Sequence, residues 1–180
     1  MPRLIAFLRA VNVGGHTVPM AQLRKEFEAL GFTRVETFIA SGNVIFTSRS
    51  VDLAAVEKKI EARLRAAFGF EVATFVRTDA DVAAVAGYKP FTHAQIATAG
   101  AFCVGFLEKP LDAAATRALM AFKTEIDDFH THGREVYWLC RNRQSESTFS
   151  NAALEKKLNL RATFRGINTV VRLAAIHGPS

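Results

Sequence analysis

Leu4 to Leu8 is an apolar run with no polar residue on either alternating face, too short for a helix and followed by Arg9, Asn12, Gly14 and Gly15. That pattern predicts a buried central strand that leaves the core at a glycine-rich connection. Gly14-Gly15 permits backbone angles that side chains forbid and lets amide N–H groups face a ligand, so this rim is the first place to look for a site. The apolar spacing then becomes helical. Pro19 fits the first turn of a helix over 19–30, with Leu23, Phe27 and Leu30 on one stripe and Gly31 closing it. Phe32 to Ala40 and Asn43 to Thr47 read as strands of a hairpin about Ser41-Gly42. Asp52 is placed to cap a second helix with Leu53, Val56, Ile60 and Leu64 inward and Glu57, Lys58, Glu61 and Arg65 toward water. Gly69 ends that helix, and Val72 to Arg77 reads as a fourth strand.

The order β-α-β-β-α-β is the ferredoxin-like split pattern. A third helix over Asp79 to Ala86 trails it, and 88–100, with Tyr88, Pro90 and small polar residues, reads as a connection. The pattern then returns: a strand over Ala101 to Leu107, a helix over Leu111 to Lys123, a hairpin over Ile126 to His130 and Glu135 to Arg141, a helix over Asn151 to Leu158 and a short strand over Arg161 to Arg165. Residue identity points the same way. Ala54 to Ile60 reappears as Ala152 to Leu158, Ala73-Thr74-Phe75 as Ala162-Thr163-Phe164, and Phe38 and Gly42 match Phe129 and Gly133. The expected architecture is α+β, two tandem ferredoxin-like subdomains from an internal duplication, over 1–87 and 101–180.

Composition narrows the class. With 49% hydrophobic residues and 15 Phe in 180 residues, the chain is not disordered and can bury a sizeable core. No apolar run approaches the roughly 18 residues needed to span a bilayer, and the start lacks a signal-peptide pattern, so a cytoplasmic protein without a membrane partner is expected. Cys103 and Cys140 lie in strand-like runs without a CxxC spacing; both should be reduced and buried, with no disulfide and no zinc site. The formal charge of +6 favours encounters with phosphates or acidic partners.

Arg9, Asn12, Gly14 and Gly15 combine a fixed cation with a backbone nest suited to a phosphate or carboxylate. Ser41, Gly42 and Asn43 would join them if the hairpin pairs beside the first strand. Arg165, Asn168 and Thr169 stand at the start of the last helix, where they can donate to an anion, although ordinary capping explains them more simply. His130 and His132 share one face of a strand, but no third ligand stands at suitable spacing, so a solvated hairpin tip is expected and no metal. His16 reads as a lone loop histidine and His177 as part of a tail. Tyr137 and Trp138 are adjacent in a strand and must face opposite ways, which rules out one stacking platform for RNA. Ser41 to Phe46 has the glycine and one phenylalanine of an RNA-binding strand, but not its full aromatic pattern. No G-x-S-x-G, Walker loop, G-x-G-x-x-G or H-E-x-x-H occurs, and no cofactor is assigned.

The strings IAFLRAVNVGG, VPMAQLR, LGF and ASGNVIF, with EKKL and TFRGINTVVRL near the end, closely resemble the bacterial domain-of-unknown-function family 1697. The resemblance covers nearly the whole chain and implies paired α+β subdomains related to the ferredoxin-like fold, with no established activity. It places the family's recurrent polar and glycine positions on Arg9, Asn12, Gly14, Gly15, Ser41, Gly42, Asn43, Arg165, Asn168 and Thr169. Gly166 and Ile167 depart from it, standing where the family commonly has Asn and an aromatic. The expected function is non-catalytic binding of a small anionic or phosphate-bearing ligand, with Arg9, Gly14, Gly15 and Asn43 lining the site and Arg165 reaching it. The alternatives are a nucleic-acid-binding module and an enzyme of unknown reaction; the sequence does not give the oligomeric state.

Overall fold

The computed structural model describes residues 1–9, 17–39 and 42–179. It divides into two compact units, residues 1–84 with 173–180 and residues 85–172.

In the first unit β1 (Arg3–Leu8), α1 (Met20–Ala29), β2 (Thr33–Phe38), β3 (Asn43–Thr47), α2 (Leu53–Phe68) and β4 (Thr74–Thr78) follow in that order. The strands form one antiparallel sheet in the order β2-β3-β1-β4. Both faces of central β1 are buried, Leu4 to Leu8 all lying out of solvent, which is why its run is apolar on both. Leu4, Ala6 and Leu8 pack under the helices with Val44, Phe46 and Val76, against Leu23 and Phe27 of α1 and Val56, Ile60 and Leu64 of α2. Phe27 and Phe46 meet edge to face, 5.3 Å between centroids. The other face carries Ile5, Phe7, Ile45 and Phe75 together with Asn43 and Arg77, all buried.

The helix ends follow local chemistry. The Asp52 carboxylate accepts from Ala55 N–H, and Gly69, at φ 79°, closes α2. Pro19 is extended, at ψ 136°, and takes the N-cap position of α1 instead of its first turn. Glu57 and Glu61, expected to face water, instead accept from the main-chain N–H groups of Val76 and Thr74. β4 is an edge strand whose outer amides lack a ladder partner, and the two carboxylates of α2 supply one. Replacing both with alanine should cost about 1 to 2 kcal/mol each and leave a strand edge open to pairing. Urea melts and size-exclusion chromatography would show the lower midpoint and the growth of larger species.

In the second unit β5 (Ala101–Leu107), α5 (Ala113–Met120), β6 (Asp127–His132), β7 (Glu135–Cys140), α6 (Asn151–Leu158) and β8 (Ala162–Gly166) repeat the same succession, and the sheet order β6-β7-β5-β8 is the same arrangement. Before them come α3 (Asp79–Gly87) and α4 (His93–Thr98); α7 (Ile167–His177) follows β8 directly. The expected connection therefore holds a short helix, started by a capping box in which Thr92 and Gln95 each accept the other's main-chain N–H. His177 belongs to α7 and not to a tail. Its imidazole lies 3.8 Å from the Glu36 carboxylate, while Arg3 donates to the carbonyls of His177 and Gly178 at the helix's negative end.

Trp138, Phe129, Phe149 and Leu154 form the helix-side core of this unit. Tyr137 faces the other way, as strand alternation requires.

The two sheets match in detail. Leu8 N–H donates to Gly42 O, and Leu107 N–H donates to Arg134 O, each where a central strand meets the start of its hairpin partner. Arg77 is paired with Ile5, and Arg165 with Val104. Each guanidinium is buried and donates to the carbonyl of the preceding residue, Val76 or Phe164. This register corrects the short sequence match by one residue: Phe75 shares a face with Phe7, whereas Phe164 packs into the helix-side core.

Candidate anion-binding rim

Arg9 is delivered by β1 to one end of the first sheet. Leu8 N–H donates to Gly42 O at 2.8 Å on one side, and Arg9 N–H donates to Ala73 O at 2.9 Å on the other. The backbone of Leu8 and Arg9 is thus held between Gly42, just before β3, and Ala73, just before β4. Gly42 is buried at φ 85°, a conformation that favours glycine. Asn43 is fully buried, and its amide donates to Phe38 O at 2.9 Å, so its side chain pins the hairpin. Antiparallel order places the start of α1 at this same end, with no acidic residue in its first turn, so the positive end of that helix dipole adds to the local field. Asn12, Gly14, Gly15, His16 and Ser41 lie outside the described residues.

Ile39, at the end of β2, adopts φ 53° and is 44% exposed. For a β-branched residue that conformation costs about 1 to 3 kcal/mol.

The second group of expected site residues lies in the second unit's sheet and the helix that follows it. Arg165 is buried and donates to Thr163 Oγ1 at 2.8 Å and to Phe164 O at 2.9 Å. Burial pulls its pKa down to about 10, which leaves it charged at neutral pH. Asn168 and Thr169 sit in the first turn of α7, not at its cap, because β8 runs straight into the helix.

His132 is exposed at the hairpin tip and His130 is half-buried beside it. Tyr88 lies over both: its hydroxyl is 2.7 Å from His130 Nε2, and its ring stacks on His132 at 4.0 Å and 13°. The Tyr137 ring is 5.2 Å from that of Tyr88, and among the described residues its buried hydroxyl has no hydrogen-bond partner. Burial first, then Glu135 and Tyr88, push its pKa up. Nothing in the spacing of the histidines pointed to Tyr88, which comes from the segment after α3. Among the described residues no group of three His, Cys, Asp or Glu side chains is placed to hold a metal ion, and no helix is long and apolar enough to cross a membrane. Arg9 is not among the residues lining open grooves of about 420 to 490 Å³ in the two units. The one between Leu30 and Lys59 is bridged by structural contacts, since Lys59 Nζ donates to Leu30 O and lies 5.5 Å from the Phe32 ring centre.

Cys103 and Cys140 are free and buried in the helix-side core. Burial, with Cys140 close by, raises the Cys103 pKa from its ordinary 9.0 to about 11, and burial raises Cys140 as well. Neither is a thiolate nucleophile near neutral pH. The folded protein should resist iodoacetamide at pH 8 and react only when unfolded in urea. A raised thiol pKa contributes stability that is fully present below pH 9 and is lost as pH rises toward 11, so urea midpoints should begin to fall above pH 9.

The family model described as "Protein of unknown function (DUF1697)" matches residues 1–137. The chain belongs to this family. Among solved structures, conserved bacterial protein SP0830 from Streptococcus pneumoniae is similar, with 22% identity, a TM-score of 0.75 and 98% of each chain covered, a likeness that carries the fold alone. Among curated proteins, no sequence matches.

Proposed function

We propose that this chain binds a small anionic or phosphate-bearing ligand at the end of the first sheet where β1 delivers Arg9. The observation that carries the reading is the pair of main-chain bonds, Leu8 to Gly42 and Arg9 to Ala73, which fix the base of that arginine beside a glycine-bearing connection. The start of α1 at the same end supports it, because oriented amides and a guanidinium favour an anion together. Asn12, Gly14, Gly15 and Ser41 complete the proposed rim from the two flanking segments, with main-chain N–H groups, a hydroxyl and an amide as donors. Arg165, Asn168 and Thr169 are left out of this core proposal because Arg165 is committed to acceptors in its own sheet. The matching strand orders, main-chain bonds and buried arginines also support an origin by duplication of one ferredoxin-like unit.

A nucleic-acid-binding reading is favoured by the net charge of +6. Fluorescence anisotropy with labelled single-stranded RNA, single-stranded DNA and duplex DNA separates the two at roughly 50 and 200 mM salt. The small-ligand reading expects no binding of these polymers at the lower salt. Micromolar or tighter binding that collapses with salt and weakens in Arg9→Ala would replace it with the polymer reading.

A further inference from the structure

We infer that the groove of about 470 Å³ lined by Ser48, Arg49, Ser50 and Lys59 in the first unit binds the phosphate group of a small organic phosphate. This site is separate from the Arg9 rim and does not depend on it. Ser48 N–H donates to Pro2 O at 3.2 Å, so the groove lies at the end of the sheet where β1 begins, whereas Arg9 stands where β1 ends.

The donors decide the charge of the occupant. Elsewhere on the helices of this unit cations meet carboxylates: Arg24 pairs with Glu28 and Arg63 with Glu26. Arg49 and Lys59 share one groove with no acidic residue in its wall, and neither has an ion pair among the described residues. Arg49 is exposed, and Lys59 gives one ammonium hydrogen to Leu30 O at 3.0 Å and keeps two. Ser50 N–H donates to Ser48 Oγ at 3.1 Å and Asp52 N–H donates to Ser50 Oγ at 3.2 Å, so each hydroxyl oxygen already accepts. Neither hydroxyl finds an acceptor for its own hydrogen among the described residues, although Ser48 is only 4% exposed. A donor buried to that degree costs free energy when it stays unpaired. Two cations and two hydroxyl hydrogens in one groove match the several acceptor oxygens of a phosphate. The start of α2 adds nothing to this count, because the Asp52 carboxylate already takes Ala55 N–H.

Size decides the rest. The volume falls within the roughly 300 to 1,000 Å³ of small-molecule sites, more than a bare phosphate fills. Leu30 and Ala55 complete the wall with apolar surface, which an alkyl group beside the phosphate would cover and inorganic phosphate would leave wet.

The test titrates the isotope-labelled full chain with inorganic phosphate, with propyl phosphate and, at matched ionic strength, with chloride, following amide shifts in the wild type, Arg49→Ala and Lys58→Ala. Arg49 is exposed, so its replacement should leave the thermal midpoint unchanged. Lys58 is exposed on α2 outside the groove, and Lys58→Ala removes the same charge. Both phosphates should give saturable shifts at Gly31, Ser48, Arg49 and Ser50, with propyl phosphate roughly fivefold tighter. Arg49→Ala should weaken both about tenfold, whereas Lys58→Ala should leave them within about twofold. Unmoved groove amides, the same shifts with chloride, or equal weakening in the two variants would overturn the site. Equal affinities for the two phosphates would overturn its preference for an organic ligand. None of these results bears on the Arg9 reading, which is followed at Leu8, Arg9, Gly42 and Asn43.

Discussion

Replacing Asp127 with alanine should destabilise the second unit by about 3 to 5 kcal/mol, because its buried carboxylate is the acceptor for several buried groups. Asp127 is 1% exposed. It accepts from Trp138 Nε1 at 2.9 Å, from Ser147 Oγ at 2.7 Å and from Thr124 Oγ1 at 2.8 Å. The two hydroxyls can rotate to new partners, but the indole N–H is fixed in the core and would be left unsatisfied. The network also ties the segment after β7 to the start of β6, so its loss loosens both. Asp127→Asn keeps one acceptor oxygen and should cost about half as much. Urea melts followed by Trp138, the single tryptophan of the chain, would report both changes. A loss below about 1 kcal/mol for the alanine variant would show that this network contributes little to stability.

The second large effect concerns Gly105. A Cβ built there would lie 2.6 Å from the Phe164 ring, which covers the glycine on the helix-side face and also packs edge to face on Phe149 and Trp138. Gly105→Ala must displace that ring and should cost about 2 to 3 kcal/mol, more than the small gain in strand propensity returns. Phe164→Leu alone should cost about 1 to 2 kcal/mol through lost contact area. Because the two residues compete for the same space, the double variant should be more stable than the sum of the single losses implies, by at least about 1 kcal/mol. Simple additivity in denaturant melts would mean that the ring yields without strain.

Much of the fold could be read from the sequence where one residue's chemistry decides one local event. Leu4 to Leu8 could only be a doubly covered strand, Asp52 and Gly69 bounded a helix, and the neighbouring Tyr137 and Trp138 had to part to opposite faces. Other features depend on neighbours distant in sequence. Glu57 and Glu61 sit on the polar side of a helical wheel, and only the position of β4 at a sheet edge gives them amides to accept from. Thr92 and Gln95 spell a capping box, but they stand inside a stretch rich in small polar residues that also reads as a connection. The match of Ala73-Thr74-Phe75 to Ala162-Thr163-Phe164 misled by one residue because identical triplets in strands say nothing about which face each position takes.

The candidate rim was partly legible for the same reason. Gly42 was expected near Arg9 only if the hairpin paired beside the first strand; β3 does pair with β1, and Leu8 N–H donates to Gly42 O. That the Asn43 amide turns inward to Phe38, and that Ile39 is held in a left-handed conformation, depend on the actual geometry of the hairpin.

The most direct test of the anion-binding reading is an amide chemical-shift titration of the isotope-labelled chain with inorganic phosphate at roughly 50 mM salt, where charge–charge attraction is less screened than at physiological salt. The reading predicts saturable shifts at Leu8, Arg9, Gly42 and Asn43, lost in Arg9→Ala while the remaining amide spectrum is unchanged. Unmoved amides at that end of the sheet, or the same shifts in the variant, would contradict it.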